Sequence, residues 1–232
     1  MKEGLLKTFD EILNEKIAPF LKKNGFKKQN LNFYKQEEDL KFMFNFQRNR
    51  YNSVNYVRFY INCGIYSEEF EQMVGEEIFR NPKEYECLFR VRIEQITKYT
   101  KSEFEVKEGD ERSKIILSNL VIRELEKVIN FYKTIHTIDE LVDLCIKKDT
   151  FFHEKVLTYL SLKKDMSRLE KYFQICGNRY KDNNKGKQSF EDRINEILVE
   201  NDIYPMKFNK ESEEIGPLRL VNRFLKKITN RQ

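Results

Sequence analysis

The chain has 232 residues, and its hydrophobic share of 40% with 13% aromatic residues excludes an intrinsically disordered protein and predicts a packed, Phe-rich core. The formal net charge is +5. Residues 1–150 carry 26 basic and 26 acidic side chains, whereas residues 151–232 carry 17 and 12. This small C-terminal excess is weaker than the concentrated basic patch of a dedicated nucleic-acid binder.

The sequence shows no membrane segment, cofactor motif or zinc-ligand spacing. Its apolar runs are only a few residues long, against the roughly 20 that cross a bilayer, so we expect a cytoplasmic protein without a membrane partner. The four cysteines form no CxxC pair, and the chain has 2 histidines. We therefore expect buried reduced thiols and neither a metal nor a cofactor.

The first predicted element is an amphipathic helix that begins at Leu5. Its apolar residues recur at spacings of three and four: Leu5, Leu6, Phe9, Ile12, Leu13, Ile17, Phe20 and Leu21. Pro19 is expected to bend or divide this helix because it lacks a backbone donor. Asn24 and Gly25 then provide a typical helix end.

An antiparallel meander follows, because the pattern changes to strict alternation. The predicted strands are residues 31–36, 40–48 and 54–63, with turns at 38–39 and 49–53. One face of the meander is apolar and is expected to cover the first helix. Its central residues are Leu40, Phe42, Phe44, Phe46, Val57, Phe59, Ile61 and Cys63.

A helix over residues 67–80 and a fourth strand over residues 86–96 complete the predicted sheet region. In that strand, alternation places Cys87, Phe89, Val91 and Ile93 inward and Arg90 and Arg92 outward. The fold class is therefore α+β, with an antiparallel sheet of about four strands packed on the N-terminal helix and a mostly helical C-terminal half.

The helical half begins with an apolar stripe from Leu117 to Ile135. Thr137 and Glu140 have the spacing of a capping box at the start of another helix. Further helices are predicted near residues 151–162, 166–177, 188–200 and 218–229, with an exposed loop over 178–188. The change of pattern predicts a sheet domain, 1–110, and a helical region, 111–232, although one continuous unit fits equally well.

Polar and aromatic side chains recur on the outward face of the meander and at its second turn. We name the candidate binding residues the Tyr/Arg surface: Gln47, Arg48, Arg50, Tyr51, Asn52, Tyr56, Arg58, Tyr60, Asn62, Arg90 and Arg92. Arginine presents a planar fork to carboxylates or phosphates, and tyrosine offers rigid contact area. The alternative is that these side chains pair across strands and shield the sheet, and that Asn52 builds the turn.

Known catalytic motifs are absent from the sequence: it has no GxGxxG, GxxxxGK[ST] or GxSxG pattern. The leading hypothesis is a non-catalytic protein-binding module of accessory or toxin-neutralising type. The alternative is sequence-tolerant RNA or DNA binding through the same face and the basic C-terminal helices. A third hypothesis is an unrecognised enzyme that uses Cys63 or clustered carboxylates.

Four segments together resemble a bacterial family catalogued as domain of unknown function 4304. They are PFLKKNGFKKQNLNFYK (19–35), FNFQRNRYNS (44–53), FYINCGIY (59–66) and ECLFRVRI (86–93). The resemblance spans roughly residues 5–135 and implies the same domain with the same order of elements. It implies no activity, and the residues that coincide with its motifs are Gln47, Asn62, Cys87, Arg90 and Arg92.

Overall fold

The computed structural model describes residues 4–53, 56–107, 109–148, 152–180 and 183–208. The chain forms two compact units, residues 1–159 and residues 160–232. Within the described part, no helix combines the length and the apolar character needed to cross a bilayer. The predicted division near residue 110 stays a prediction.

The N-terminal helix forms as predicted, in three consecutive parts. Helix α1 (Leu5–Glu11) continues into a π-helical stretch (Ile12–Ile17) and then into α2 (Ala18–Lys23). Pro19 lies in the first turn of α2, directly after the π-helical stretch, so the helix changes type at this point but is not interrupted. The predicted end is confirmed, because Asn24 Nδ2 donates to Phe20 O at 2.9 Å and Gly25 has a φ of 88°.

Six strands of the described part of the chain form one antiparallel sheet. They are β1 (Lys27–Gln29), β2 (Asn32–Glu37), β3 (Leu40–Arg48), β4 (Val57–Tyr66), β5 (Phe89–Arg92) and β6 (Phe104–Val106). The order is β1-β2-β3-β4-β5, and β6 pairs with another part of β4. The predicted meander is thus confirmed, while β1 and β6, three residues each, were not predicted because they are too short to show a period.

The first face of the sheet packs on helices and forms the core. Phe9 of α1 contacts Phe59 with ring centroids 4.9 Å apart. On the same face, Tyr132 at the end of helix α5 (Glu111–Tyr132) lies 4.8 Å from the ring of Phe42. All four of these aromatic side chains are buried, so the helices and the sheet form one apolar layer.

The segment between β4 and α5 differs from the prediction. The helix expected over 67–80 is only α3 (Glu68–Met73), and the strand expected over 86–96 is a 3₁₀ turn (Glu84–Glu86), β5 and then α4 (Glu94–Thr97). The inward assignment of Cys87 was therefore wrong. Cys87 precedes the strand, so the alternation of β5 does not reach it, and its thiol packs on the other face of the sheet.

The helical part of the first unit contains α6 (Ile138–Lys148) and the start of α7 (His153–Leu162). The predicted capping box is confirmed: Glu140 N donates to Thr137 Oγ1 at 3.2 Å, and Thr137 N donates to Glu140 Oε2 at 3.1 Å. The backbone N–H groups of His136 and Thr137 both donate to the Glu140 carboxylate and lower its pKa, with His136 making the largest contribution.

The second unit contains α8 (Met166–Asn178) and α9 (Asn184–Glu200). Helix α9 begins earlier than predicted, because Asn183 caps it by accepting from Gly186 N at 3.0 Å. The expected loop over 178–188 is correspondingly shorter. Phe173 stacks on Phe208 at 4.3 Å and forms part of the core. The helix predicted over 218–229 lies outside the described residues.

The α+β fold class, with its N-terminal helix and helical C-terminal half, is confirmed.

Candidate binding face of the sheet

One end of the second sheet face is covered by the chain segment 79–88, and we call this end the covered half. Its buried residues are Met43, Tyr66 and Cys87, with Tyr34 and Phe79 packed against them. Tyr66 Oη accepts from Phe79 N at 2.8 Å, and Tyr34 Oη donates to a backbone carbonyl of the segment at 3.0 Å. Desolvation raises the pKa of Tyr34 to about 12, so its phenol stays neutral and keeps this bond.

Gly64 permits this covering segment to lie directly on β4. A Cβ at Gly64 would lie 2.7 Å from Cys87 Sγ and 2.9 Å from Met43 Cγ, closer than such atoms approach. Cys87 Sγ itself lies 3.2 Å from Met43 Sδ. The absence of a side chain at residue 64 therefore creates the space that the Cys87 thiol fills.

A row of amides crosses the other end of the same face, which we call the open half. Asn45 lies opposite Asn62 and also opposite Asn32. Asn45 Nδ2 donates to Asn32 Oδ1 at 2.7 Å, while Asn62 Nδ2 donates to Asn45 Oδ1 at 2.9 Å and to Gln47 Oε1 at 3.0 Å. Within this row Asn62 is buried and Gln47 is exposed. The amides therefore form a hydrogen-bonded network that is accessible at the Gln47 end.

Arg92 lies beside this row, on the strand that pairs with Asn62. Its guanidinium stands 3.7 Å from the centroid of the Tyr60 ring, and Asn49 Nδ2 donates to Tyr60 Oη at 3.0 Å. Arg92 Nη1 is buried and has no hydrogen-bond partner among the described residues. Arg90 is exposed and, within the same described part, has no carboxylate partner. Two adjacent arginines thus keep unused donors.

Arg58 differs because β6 and the residue before it provide carboxylate partners. Arg58 Nη1 lies 2.5 Å from Glu103 Oε1, and its Nη2 lies 3.8 Å from Glu105 Oε1. The guanidinium also lies over the ring of Tyr56, at 4.5 Å. The positive charge of Arg58 is therefore compensated within the protein.

The residues at the hairpin between β3 and β4 point in different directions. Arg48 pairs with Asp10 and lies 5.0 Å from the ring of Phe9, on the helical side of the sheet. Arg50 lies over the Tyr51 ring, which is 70% exposed at the tip. Asn52 bonds both backbone groups of residue 58, at 2.8 Å each, which agrees with the predicted turn-building role.

The structure thus brings together Gln47, Tyr60, Asn62 and Arg92, with Tyr56 and Arg58 at the margin. Arg90 lies next along β5, opposite Gly64 where the covered half begins. The structure separates Arg48 from this group, and it places Arg50 and Tyr51 at the tip. Sequence reasoning missed Asn49 and Glu103, which hold Tyr60 and Arg58 in place. Asn49 was included only in a turn, and Glu103 precedes a strand too short to recognise.

The proposed catalytic use of Cys63 gains no support from its surroundings. Its side chain is fully buried on the core face, and desolvation raises the pKa of the thiol far above its usual range. A protonated, inaccessible thiol is a poor nucleophile. Among the described residues, no cluster of His, Cys, Asp or Glu is arranged to hold a metal ion.

Comparisons with known proteins identify the domain but not its activity. Curated proteins and solved structures give no significant match to the chain. The family model described as domain of unknown function (DUF4304) matches residues 17–133, which run from the end of the π-helical stretch to the end of α5 and include all strands of the described sheet. Because this match covers half of the sequence, the chain belongs to the DUF4304 family.

Proposed function

We propose that this chain is a non-catalytic accessory module that binds an acidic segment of a protein partner on the open half of the sheet. The observation that carries the proposal is the pair Arg90 and Arg92, whose guanidinium donors are not used by intramolecular carboxylates in the described part of the chain. An arginine with unused donors is suited to bidentate binding of a carboxylate.

The neighbouring side chains support recognition of a defined surface. The guanidinium of Arg92 lies over the Tyr60 ring, which restricts its orientation before a partner binds. Arg92 therefore loses less side-chain entropy on binding. The accessible end of the amide row, Gln47, adds a donor and an acceptor beside it. Rigid aromatic area next to arginine is typical of the residues that dominate protein interfaces.

A protein partner is favoured over nucleic acid because carboxylates accompany the arginines. Glu103 and Glu105 compensate Arg58 at the margin of the open half, and Asp10 pairs with Arg48. Residues 1–150 have no net charge excess, with 26 basic and 26 acidic side chains. A phosphate backbone is bound through an extended uncompensated basic surface, whereas the open half offers only Arg90 and Arg92 among its described residues.

The test is affinity capture of the tagged full chain from its own cells, with and without nuclease, using a variant with Arg90→Ala and Arg92→Ala. The control carries Lys22→Ala and Lys23→Ala, which removes the same charge from exposed positions at the end of α2. We expect capture of a partner protein that survives nuclease treatment and that the lysine control still binds. The Kd of the arginine variant for this partner should be about tenfold higher or more.

Two results would contradict the proposal. Retention of the partner by the arginine variant would show that binding occurs elsewhere. Recovery of RNA or DNA that nuclease abolishes, with affinity falling steeply as salt increases, would instead support the nucleic-acid hypothesis. Circular dichroism of both variants tests that each remains folded.

A further inference from the structure

A groove of about 640 Å³ runs beside β6 and reaches Arg58 at the margin of the open half. One wall is helix α5, which contributes Ile116, Leu117 and Leu120 at helical spacing. Ile116, which lines this wall, is 59% exposed. The other wall is β6 together with the loop before it.

The groove follows the outer edge of β6. It contacts Phe104 and Val106, which are buried on the core face, and also Glu105, which belongs to the opposite face. A cavity that contacts both faces of a strand lies along its edge. Strand β6 pairs only with β4 within the described sheet, so its second edge presents unpaired backbone groups to the groove.

The charges around the groove indicate what it accepts. Exposed Lys101 and Lys107 flank β6 at its two ends, and neither makes an ion pair within the described residues. The carboxylates of Glu103 and Glu105 are already held by Arg58. Within the described residues, Lys101 and Lys107 are therefore uncompensated, whereas the carboxylates of Glu103 and Glu105 are occupied by Arg58.

We propose that β6 binds an extended peptide segment of a partner protein by adding it to the sheet as a further strand. Its backbone pairs with the open edge, alternate apolar side chains fill the groove against Ile116 and Leu120, and acidic residues near its ends meet Lys101 and Lys107. Neither Arg90 nor Arg92 lines this site, so it does not depend on the arginines of the proposed function.

The test is selection of twelve-residue peptides from a random phage-displayed library on the immobilised full chain. The enriched peptides are then synthesised with a fluorophore and measured by fluorescence anisotropy. We expect alternating apolar residues with acidic ends. Ile116→Asp is expected to weaken binding about tenfold or more, because it removes apolar contact and repels acidic residues. The matched control is Ile115→Asp, since Ile115 is 48% exposed but does not line the groove.

N-methylation of the peptide tests the strand pairing itself. Methyl groups on one alternate set of backbone nitrogens should abolish binding, while methylation of the other set is tolerated, because only one edge of the added strand faces β6. The proposal is overturned if no peptide is enriched, if Ile116→Asp and Ile115→Asp act equally, or if both methylated sets bind. Self-association of the chain that Ile116→Asp abolishes, seen by sedimentation, would assign the groove to a second copy instead.

Discussion

The two halves of the second sheet face use the same strands in opposite ways. In the covered half, Met43 and Tyr66 are buried beneath segment 79–88, and polar groups there bond within the protein. In the open half, Gln47 is exposed, and the buried Nη1 of Arg92 has no hydrogen-bond partner among the described residues. Strands β3 and β4 run through both halves, so the difference comes from the segment that covers one of them.

This division assigns stability to one half and recognition to the other. Apolar burial under a covering segment contributes free energy of folding, whereas exposed amides and arginines contribute little to it. A binding face that contributes little to stability can be altered without unfolding the domain. Substitutions in the two halves therefore separate the two roles.

The largest expected difference is between Met43→Ala and Gln47→Ala, two truncations on the same strand and the same face. Met43 is fully buried, so its truncation should reduce the free energy of unfolding by about 2–5 kcal/mol. Gln47→Ala should change it by about 0.5 kcal/mol or less. Urea unfolding followed by circular dichroism measures both values.

Equal losses in that pair would remove the distinction between the halves. A small loss for Met43→Ala would mean that segment 79–88 does not pack on the sheet in solution. A large loss for Gln47→Ala would mean that the amide row contributes to the core rather than to a binding face.

The next effect tests the close approach at Gly64. Gly64→Ala should destabilise the fold by about 1–3 kcal/mol, because its Cβ would overlap Cys87 Sγ. In the double variant with Cys87→Ala the sulfur is absent, so the combined loss should be smaller than the sum of the two single losses. Additive losses, measured by the same urea unfolding, would show that the thiol does not fill the space above Gly64.

The sequence predicted the open half better than the covered half, and the reason is periodicity. Strict alternation in residues 40–48 and 57–63 placed Gln47, Tyr60 and Asn62 on one face, and the register confirms it. Segment 79–88 has no period and is not a regular element over most of its length, so neither its path nor the position of Cys87 could be predicted.

The sequence also could not show which arginines of the candidate site have carboxylate partners. Whether an arginine is compensated depends on contacts between residues distant along the chain, such as Arg58 with Glu103 or Arg48 with Asp10. Local patterns do not contain these pairs. The sequence therefore predicted five arginines as equivalent candidates. The structure pairs Arg48 and Arg58 with carboxylates and places Arg50 over Tyr51 at the hairpin tip, which leaves Arg90 and Arg92 on β5.

The smallest expected effect is the coupling between Tyr60 and Arg92, which a double-mutant cycle with Tyr60→Leu and Arg92→Ala measures. A cation over a partly exposed ring contributes about 0.5–1 kcal/mol, so urea unfolding of the four proteins should give a coupling of that size. A coupling of zero would show that the stack does not form in solution. A coupling above about 2 kcal/mol would assign the pair a structural role. Turning Arg92 toward a partner would then cost most of that interaction with Tyr60 and would oppose binding. A weak coupling is what the binding role requires, because the guanidinium is then oriented before the partner arrives and can still adjust to its carboxylate.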